Sequence, residues 1–417
     1  MTATESVNRR GSVFVTQIQR AGQIGPVAQW ITAAGWAGGA RRLHGDAWVA
    51  TPDGVLTPDE ALRRASPPAR SSTGTARRRR VPEPVVTAAK DARRLSRNRR
   101  FAEQLLAESW DPTGIRSVFQ FHGLLFDAGL QLARRVGAPS VLVVDSCQVE
   151  EARAWGVHRP GWSGIAERTG ERPQFVRADL VVCVSEEVAE SVRRRGWRRD
   201  GVVVVPNGVD TERFTPGPAD PGLRARLGLD GAFVVGWAGS FRSFHGLDTL
   251  LEAAAIAGRD MDDLQLLLVG DGLARPALEA RARELGVRAV FTGTVPFTDI
   301  PAYMRAMDVA TVLADPAQPF HYSPVKLREY QACGRAVVAS AVGEMQRELR
   351  DGETAAMVDA GDATALADTF VRLARDPALV DRLGTAARAD VVATASWEIR
   401  VAEVEQMLGL GVGIRAV

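Results

Sequence analysis

The chain alternates short apolar runs, rich in valine, with longer stretches in which apolar residues recur at helical spacing. A short apolar run bounded by turn residues predicts a buried strand, and the stretch after it predicts the helix that covers the strand. The predicted strands are Ser12 to Ile18, Ser117 to Phe121, Val141 to Val144, Leu180 to Val184, Val202 to Val205, Phe233 to Ala238, Leu264 to Val269, Ala289 to Thr292 and Ala336 to Ala339. This alternation predicts an α/β fold. Beyond Ser340 the pattern predicts helices up to the end of the chain.

A chain of 417 residues is longer than one hydrophobic core usually holds, so we expect two domains. The boundary is marked by Pro206, which ends a strand, and by the turn Asn207-Gly208 with a stiff Pro-Gly-Pro run after it. We predict a first domain over residues 1–207, a second over 208–396, and a last helix over 397–417.

The segment FHYSPVKLREYQACGRAVVAS, Phe320 to Ser340, predicts a helix followed by a buried strand. Ser323 is a candidate N-cap, with Pro324 in the first helical position, and Gly334 is placed to end the helix. A helix N-terminus with Lys326 in its first turn favours phosphate. Glu329 lies on the same face, about 7 Å along the axis from the helix start, where its carboxylate could bind a ribose diol. The alternative is a solvated Lys/Glu pair on an ordinary helix.

Two stretches, SPVKLREYQACGRAVVAS and VVPNGVDTERF, resemble retaining glycosyltransferases of family 4, which have the GT-B fold. The resemblance implies two Rossmann-like domains that face each other across a cleft, with the last helix crossing back to the first domain. It also implies a UDP- or GDP-linked sugar donor and an acceptor hydroxyl. The family pattern has two glutamates eight positions apart. Glu329 matches the second, which binds the ribose, and His321 stands in place of the first, which handles the transferred sugar.

The resemblance extends to the loop GSFRSFHG, where family members grip the diphosphate with Arg and Lys. Ser240 stands at the Arg position and His245 at the Lys position, so Arg242 is expected to supply the permanent charge. Together the resemblance and the residues predict catalytic roles for His122, Arg242, Lys326 and Glu329. The predicted donor-binding residues are Gly239, Arg242, His245, Gly270, Val295, His321, Ser323, Pro324, Val325, Lys326 and Glu329. No protein nucleophile is assigned.

The first half offers residues for the acceptor side. His122 follows a predicted strand at the sheet edge where α/β proteins bind ligands, and it matches a family histidine that contacts the donor sugar. Asp145 and Glu150 lie at the same edge and are candidates for binding acceptor hydroxyls, with helix capping and solvation as alternatives. Gly22 and Gly25 belong to a loop that resembles the family's acceptor-side glycine loop, and a plain βα turn is the alternative.

The chain carries 52 basic and 50 acidic residues, a balance that gives no support for nucleic-acid binding. Between Arg63 and Arg100 there are twelve Arg and one Lys against two acidic residues, with an unbroken run from Arg77 to Arg80. We expect a mobile, solvated insert over about residues 63–100, and docking on an anionic lipid, an acidic partner or an anionic acceptor is the alternative.

Three cysteines without metal or redox spacing favour a reducing cytoplasm, and no apolar run is long enough to span a bilayer. Attachment to the inner face of a membrane stays open. Asp260 and Asp262 have the D-x-D spacing of metal-dependent sugar transferases, but they lie between a predicted helix and strand, away from the expected ligand edge. We therefore predict no metal.

The working hypothesis is a bacterial enzyme that transfers a sugar from a nucleoside-diphosphate sugar to an acceptor hydroxyl with retention of configuration. Its expected pathway is natural-product or envelope glycoconjugate synthesis. The alternatives are a sugar-nucleotide epimerase or hydrolase of the same fold, and a non-catalytic protein that has kept the nucleotide pocket.

Overall fold

The computed structural model describes residues 8–18, 28–65, 82–154, 156–198, 200–318 and 320–411. They form two compact units. The first runs up to Pro206 and takes up the chain again at Trp397, and the second comprises Asn207–Ser396. Asn207, which the sequence analysis puts at the end of the first domain, therefore belongs to the second unit.

The strands are β1 (Arg9–Val15), β2 (Ala47–Thr51), β3 (Gly54–Leu56), β4 (Trp110–Phe121), β5 (Ser140–Val144), β6 (Leu180–Cys183), β7 (Val202–Val204), β8 (Phe233–Ala238), β9 (Leu264–Val269), β10 (Ala289–Gly293), β11 (Val309–Val312), β12 (Ala336–Ser340) and β13 (Ala356–Val358). The helices are α1 (Ala28–His44), α2 (Pro58–Arg64), α3 (Glu83–Ala107), α4 (Ala128–Val136), α5 (Gln148–Ala154), α6 (Ser163–Ala166), α7 (Arg172–Arg177), α8 (Glu186–Arg194), α9 (Pro221–Arg226), α10 (Leu247–Ala257), α11 (Arg275–Glu284), α12 (Ile300–Arg305), α13 (Val325–Ala332), α14 (Gly343–Glu348), α15 (Ala363–Arg375), α16 (Pro377–Thr394) and α17 (Trp397–Met407).

The first unit is built on a seven-stranded sheet of order β3-β2-β1-β4-β5-β6-β7. All neighbouring strands are parallel except the β2–β3 hairpin. The central strands are buried on both faces, which explains why they appear in the sequence as continuous apolar runs. The strand order reverses direction between β1 and β4, and this switch point is where open α/β sheets bind ligands.

The second unit has a six-stranded parallel sheet of order β10-β9-β8-β11-β12-β13. This is the Rossmann order, with its switch point between β8 and β11. A core of leucine, valine, alanine and phenylalanine side chains packs α10, α11 and α15 against the sheet. The predicted α/β class and the two Rossmann-like units are confirmed.

The prediction that only helices follow Ser340 is wrong, because β13 extends the second sheet. Three residues are too few to show a strand period, so the sequence pattern could not reveal it. The short strands β2, β3 and β11 were also not predicted.

The expectation of a mobile insert is wrong for its second half. Residues 83–107 form the 25-residue helix α3, and the helix buries Thr87, Asn98, Phe101, Ala102 and Leu105. These residues recur at helical spacing and pack α3 onto the core that contains α4. The run Arg77 to Arg80 lies outside the described residues.

The last helix, α17, packs against α1 within the first unit. Trp397, at the start of α17, lies over two glycines of α1. A Cβ atom at Gly35 would come within 2.4 Å of the Trp397 ring, and one at Gly39 within 2.6 Å of the Trp397 backbone. Gly38 is different, because its nearest neighbour would be an Arg42 side-chain nitrogen at 3.8 Å. Close packing of α17 therefore depends on Gly39 and not on Gly38.

This difference provides a matched test of the packing. Gly38→Ala should raise the unfolding free energy by up to about 1 kcal/mol, because alanine loses less backbone entropy in a helix. Gly39→Ala should instead lower it by roughly 1–3 kcal/mol, because a backbone atom must move to make room. Thermal unfolding of both variants checks this. Equal melting temperatures would show that α17 does not pack on α1 as described.

Candidate active site

The carboxyl edge of the second sheet brings together the loops after β8 and β9 and the start of α13. Gly239 and Gly270 follow β8 and β9 and have φ angles of 147° and 132°, which side chains rarely adopt. A Cβ atom at Gly270 would lie 1.9 Å from the Gly239 carbonyl oxygen. The two loops thus pack backbone against backbone.

The helix α13 starts one residue later than predicted. Pro324 is the N-cap and Val325 the first helical residue. Ser323 does not cap the helix: its hydroxyl accepts a hydrogen bond from the Asn207 amide (3.1 Å) and donates one to Glu344 Oε1 (2.9 Å). The predicted end is confirmed, since Gly334 has a φ of 66° just after the last turn.

The central feature of this edge is Lys326, one of two lysines in the chain. Its buried ammonium is without a hydrogen-bond partner among the described residues and lies 3.9 Å from the centroid of the Trp237 ring. A Cβ atom at Gly239 would come within 2.8 Å of the same Nζ atom. Burial lowers the pKa of Lys326 to about 7, although the nearby Glu329 carboxylate opposes this shift.

Glu329 lies one turn further along α13 and is 8% exposed. Burial raises its pKa to about 7, against the attraction of Lys326. The alternative of a solvated Lys/Glu pair is therefore excluded. The helix is fastened to the sheet by Tyr330, whose hydroxyl oxygen accepts a hydrogen bond from the Ala238 amide at 2.6 Å.

His245 belongs to a single 3-10 turn, Ser243–His245, that follows β8. Its ring is packed by Phe244 and Tyr322, and its Nδ1 atom lies 3.3 Å from the Tyr322 hydroxyl. Burial, together with the charges of Lys326 and Arg242, lowers the pKa of His245 well below its usual value. At neutral pH the imidazole is therefore uncharged, whereas Arg242 stands exposed at the start of the turn.

The two remaining predicted donor-binding residues, His321 and Val295, are close in sequence to elements that end at this edge of the sheet. His321 is half-buried in the segment before α13, with its ring 6.0 Å from that of Tyr322. Val295 is buried just after β10. Sequence reasoning missed the contributions of Trp237, Tyr322 and Tyr330, because aromatic residues in such patterns are ordinary core residues.

In the first unit, His122 follows β4 and is 1% exposed. Both ring nitrogens are engaged: Nδ1 lies 3.2 Å from Gln174 Oε1, and Nε2 lies 3.0 Å from Glu171 Oε1. Glu171 also accepts a hydrogen bond from the Gln148 amide at 2.7 Å. His122 therefore ties β4 to the segment around α7. Sequence reasoning missed Glu171 and Gln174, whose spacing of three residues is a weak signal on its own.

Asp145 follows β5 and accepts a hydrogen bond from the Gln29 side chain at 3.3 Å. It lies three residues before α5 and is therefore not the N-cap of that helix. Burial is the main reason that the pKa of Asp145 rises to about 6. The Glu150 carboxylate accepts hydrogen bonds from two side chains of the first unit, the Ser191 hydroxyl at 2.7 Å and the Arg195 guanidinium at 2.8 Å. Gly22 and Gly25 lie outside the described residues.

The D-x-D pair lies at the other end of the strands. Asp260 and Asp262 are exposed and precede β9, whereas Gly270 and the candidate site follow it. Within the part of the chain that the structure describes, no group of three His, Cys, Asp or Glu side chains is arranged to hold a metal ion. Over the same residues, no helix is both long enough and apolar enough to cross a membrane.

Two family models match the chain. Residues 36–213 match the model described as Glycosyltransferase Family 4, and residues 232–376 match Glycosyl transferases group 1. A GDP-mannose-dependent alpha-(1-6)-phosphatidylinositol monomannoside mannosyltransferase from Mycolicibacterium smegmatis is 30% identical over 284 residues, which are 66% of this chain and 72% of the relative. The chain belongs to glycosyltransferase family 4.

Other family 4 relatives match over a shorter span. A D-inositol 3-phosphate glycosyltransferase from Streptomyces avermitilis is 35% identical over 52% of this chain. That match spans about half of the relative's own length, 49%. Among solved structures, Anabaena HepE in complex with UDP and glucose aligns with a TM-score of 0.65 at 18% identity, covering 96% of this chain and all of that one. Sucrose-phosphate synthase from Thermosynechococcus elongatus aligns with a TM-score of 0.66 at 21% identity, covering 96% and 98%. The GT-B fold predicted for this family 4 chain is confirmed.

The burial of the Lys326 ammonium leads to a prediction about the stability of the protein. Lys326→Met keeps the contact with the Trp237 ring but removes a charge that is held out of water. At about pH 6 this change should stabilise the protein by roughly 1–3 kcal/mol and raise its melting temperature by a few degrees. This gain in stability should shrink as the pH rises above about 7. In that range wild-type Lys326 is protonated in the unfolded chain but loses its proton on folding, so the cost of burying its charge falls with each further unit of pH.

Lys90, the other lysine, provides the control, since it is exposed on α3. Lys90→Met should leave the melting temperature nearly unchanged at both pH values. A Lys326→Met variant that melts lower than wild type at about pH 6 would contradict the description of Lys326 as an unpaired buried cation.

Proposed function

We propose that this protein transfers a sugar from a UDP- or GDP-linked donor to an acceptor hydroxyl with retention of configuration, without a metal cofactor. The observation that carries the proposal is the buried ammonium of Lys326, which has no hydrogen-bond partner among the described residues, beside glycine loops and a helix N-terminus. An ammonium in this position is costly unless an anion neutralises it. A diphosphate at the tip of α13 supplies that anion.

The departing diphosphate is stabilised by charge that is already in place. Lys326 and the N-terminal amides of α13 face one side of it, and the exposed guanidinium of Arg242 comes from the turn after β8. His245, which is neutral, contributes as a hydrogen-bond donor. Because the leaving group is neutralised by fixed groups rather than by reorganising water, the barrier to its departure is lowered.

Glu329 binds the ribose diol of the donor. Its carboxyl group is buried near Lys326. A diphosphate on Lys326 raises the pKa of that ammonium, and the charged ammonium in turn lowers the pKa of Glu329. A charged carboxylate accepts stronger hydrogen bonds from hydroxyl groups than a neutral acceptor does. The same helix face then binds both the phosphates and the sugar of the nucleotide.

His321 stands where the family pattern has its first glutamate, so we propose that it sets the preference for the transferred sugar. In the first unit, Asp145 is the candidate for binding the acceptor hydroxyl, because it lies at the switch-point edge with a raised pKa. His122 has both ring nitrogens bonded within the protein and is better suited to holding β4 in place than to contacting the sugar.

The relatives' names support this class of reaction. These names give GDP-mannose as the donor of one protein and D-inositol 3-phosphate and phosphatidylinositol monomannoside as acceptors, and a structural neighbour is in complex with UDP. Such acceptors offer polyol or sugar hydroxyls. A role in envelope glycoconjugate synthesis fits them better than one in natural-product synthesis.

Kinetics of Glu329 and Lys326 variants test the donor site. Glu329→Ala should lower kcat/KM by about 30- to 1000-fold, because two charge-assisted hydrogen bonds to the ribose are lost. Glu329→Gln should lose less, since the amide keeps the shape. Lys326→Ala should act on the diphosphate, and the double variant should be less than additive because both changes misplace the same ligand.

The assay uses a panel of UDP- and GDP-sugars with and without polyol and glycoside acceptors, in excess chelator, and the anomeric configuration of the product is read by NMR. Glu353→Ala, which changes an exposed glutamate of the same unit, serves as the matched control and should leave turnover unchanged. His321→Glu should alter the preferred sugar more than the nucleotide affinity. Consumption of donor without acceptor, or wild-type turnover in Glu329→Ala, would contradict the proposal.

A further inference from the structure

Two arginines contact one carboxylate in the first unit, and the charge of a third, Arg97, acts on one of them. Arg159 binds Asp91 through two parallel hydrogen bonds, Nε to Oδ2 at 2.7 Å and Nη2 to Oδ1 at 3.0 Å. Arg94 also reaches Asp91 Oδ1, at 3.4 Å. Burial lowers the pKa of Arg94 in spite of Asp91, and the charges of Arg159 and Arg97 add to this shift. Three guanidiniums and one carboxylate leave a net charge of two positive units.

Asp91 does not satisfy this cluster. The side chain of Arg159 is 5% exposed, yet its Nη1 atom has no hydrogen-bond partner among the described residues. The Nε atom of Arg97 is also buried and has no hydrogen-bond partner among the described residues. Buried N–H donors of charged groups are expensive to leave unpaired. An ion pair that only holds α3 against the Arg159 loop needs Arg159 and Asp91 alone. It does not explain the additional charges of Arg94 and Arg97 or the unpaired N–H donors.

The cluster lies beside the ligand-binding edge of the first sheet. Asn98 is four residues after Arg94 on the same face of α3, about 6 Å along the axis. Its amide donates to the carbonyl oxygen of Leu125, after β4, at 2.9 Å, and lies 3.5 Å from the side-chain oxygen of Gln17, after β1. β1 and β4 flank the switch point of this sheet. The arginines therefore stand one helical turn from the place where an acceptor is expected.

We propose that Arg94, Arg97 and Arg159 form an anion subsite that takes a phosphate group of the acceptor, so that the acceptor is a phosphorylated alcohol. This inference rests on the proposed transferase function. A phosphate monoester carries nearly two negative charges at neutral pH, which matches the charge of the cluster, and the phosphodiester of a lipid headgroup carries one. Guanidinium groups bind either group through paired hydrogen bonds. The phosphate could belong to a soluble ester or to a lipid headgroup.

The test measures calorimetric binding of D-inositol 3-phosphate and of unphosphorylated inositol to the full chain. The phosphate ester should bind at least about tenfold more tightly, and Arg97→Gln should remove about tenfold or more of that affinity. Arg94→Gln should have the same effect and serves if Arg97→Gln does not fold. Arg99→Gln is the matched control, because Arg99 is exposed and lies about 200° around α3 from Arg97.

A second arm distinguishes the source of the phosphate. The subsite with a lipid headgroup as its ligand is supported if the protein binds phosphatidylinositol vesicles but not phosphatidylcholine vesicles. Arg97→Gln should weaken this binding, and Arg99→Gln should not. Equal affinity for inositol and its phosphate, with vesicle binding equally insensitive to both variants, would overturn the inference. Equal losses in the Arg97 and Arg99 variants would overturn it as well, since they indicate general charge attraction.

Binding of UDP and GDP is measured on the same samples. Wild type that binds neither nucleotide contradicts the proposed function itself. Wild type that binds a nucleotide normally but does not discriminate for phosphate contradicts only the anion subsite.

Discussion

The second unit is arranged around a positive charge that is held out of water. The Lys326 ammonium lies against the face of Trp237 and beside the backbone of Gly239, where a side chain would collide with it. Its position requires α13 to stay in place, and a buried network holds the helix there: Arg328 bonds to Glu344, which also accepts a hydrogen bond from Ser323. The energy spent on burying this cation is the reason that we propose an anion as its ligand, because a bound diphosphate would remove the penalty.

The same constraint accounts for the unusual loop after β8. The loop GSFRSFHG resembles the family's diphosphate loop but has serine and histidine where the family pattern has Arg and Lys. His245 cannot replace the permanent charge, since burial and its cationic neighbours keep it neutral. In this chain the charge stands on α13 instead, at Lys326, with Arg242 exposed at the start of the turn.

The sequence pattern was sufficient for most of the parallel strands and for the position of helix α13, but not for how deeply the residues of that helix are buried. Strands such as Leu264–Val269 are continuous apolar runs because both of their faces are covered. A lysine and a glutamate three residues apart have the same pattern on a solvated helix and on a buried one, and only the packing of Trp237 distinguishes the two. In α3 the many arginines obscured a helical period whose buried positions include polar Asn98. In both helices the burial of the polar side chains depends on tertiary contacts, which the local amino-acid composition does not reveal.

The most direct test of the central claim is a crystal structure of the full protein with the nucleoside diphosphate that binds it most tightly. The account predicts that a terminal phosphate oxygen lies within about 2.7–3.2 Å of the Lys326 ammonium, at the N-terminus of α13, and that the Glu329 carboxylate accepts hydrogen bonds from the ribose diol. A nucleotide bound at another place, with Lys326 still lacking a polar partner, would contradict it.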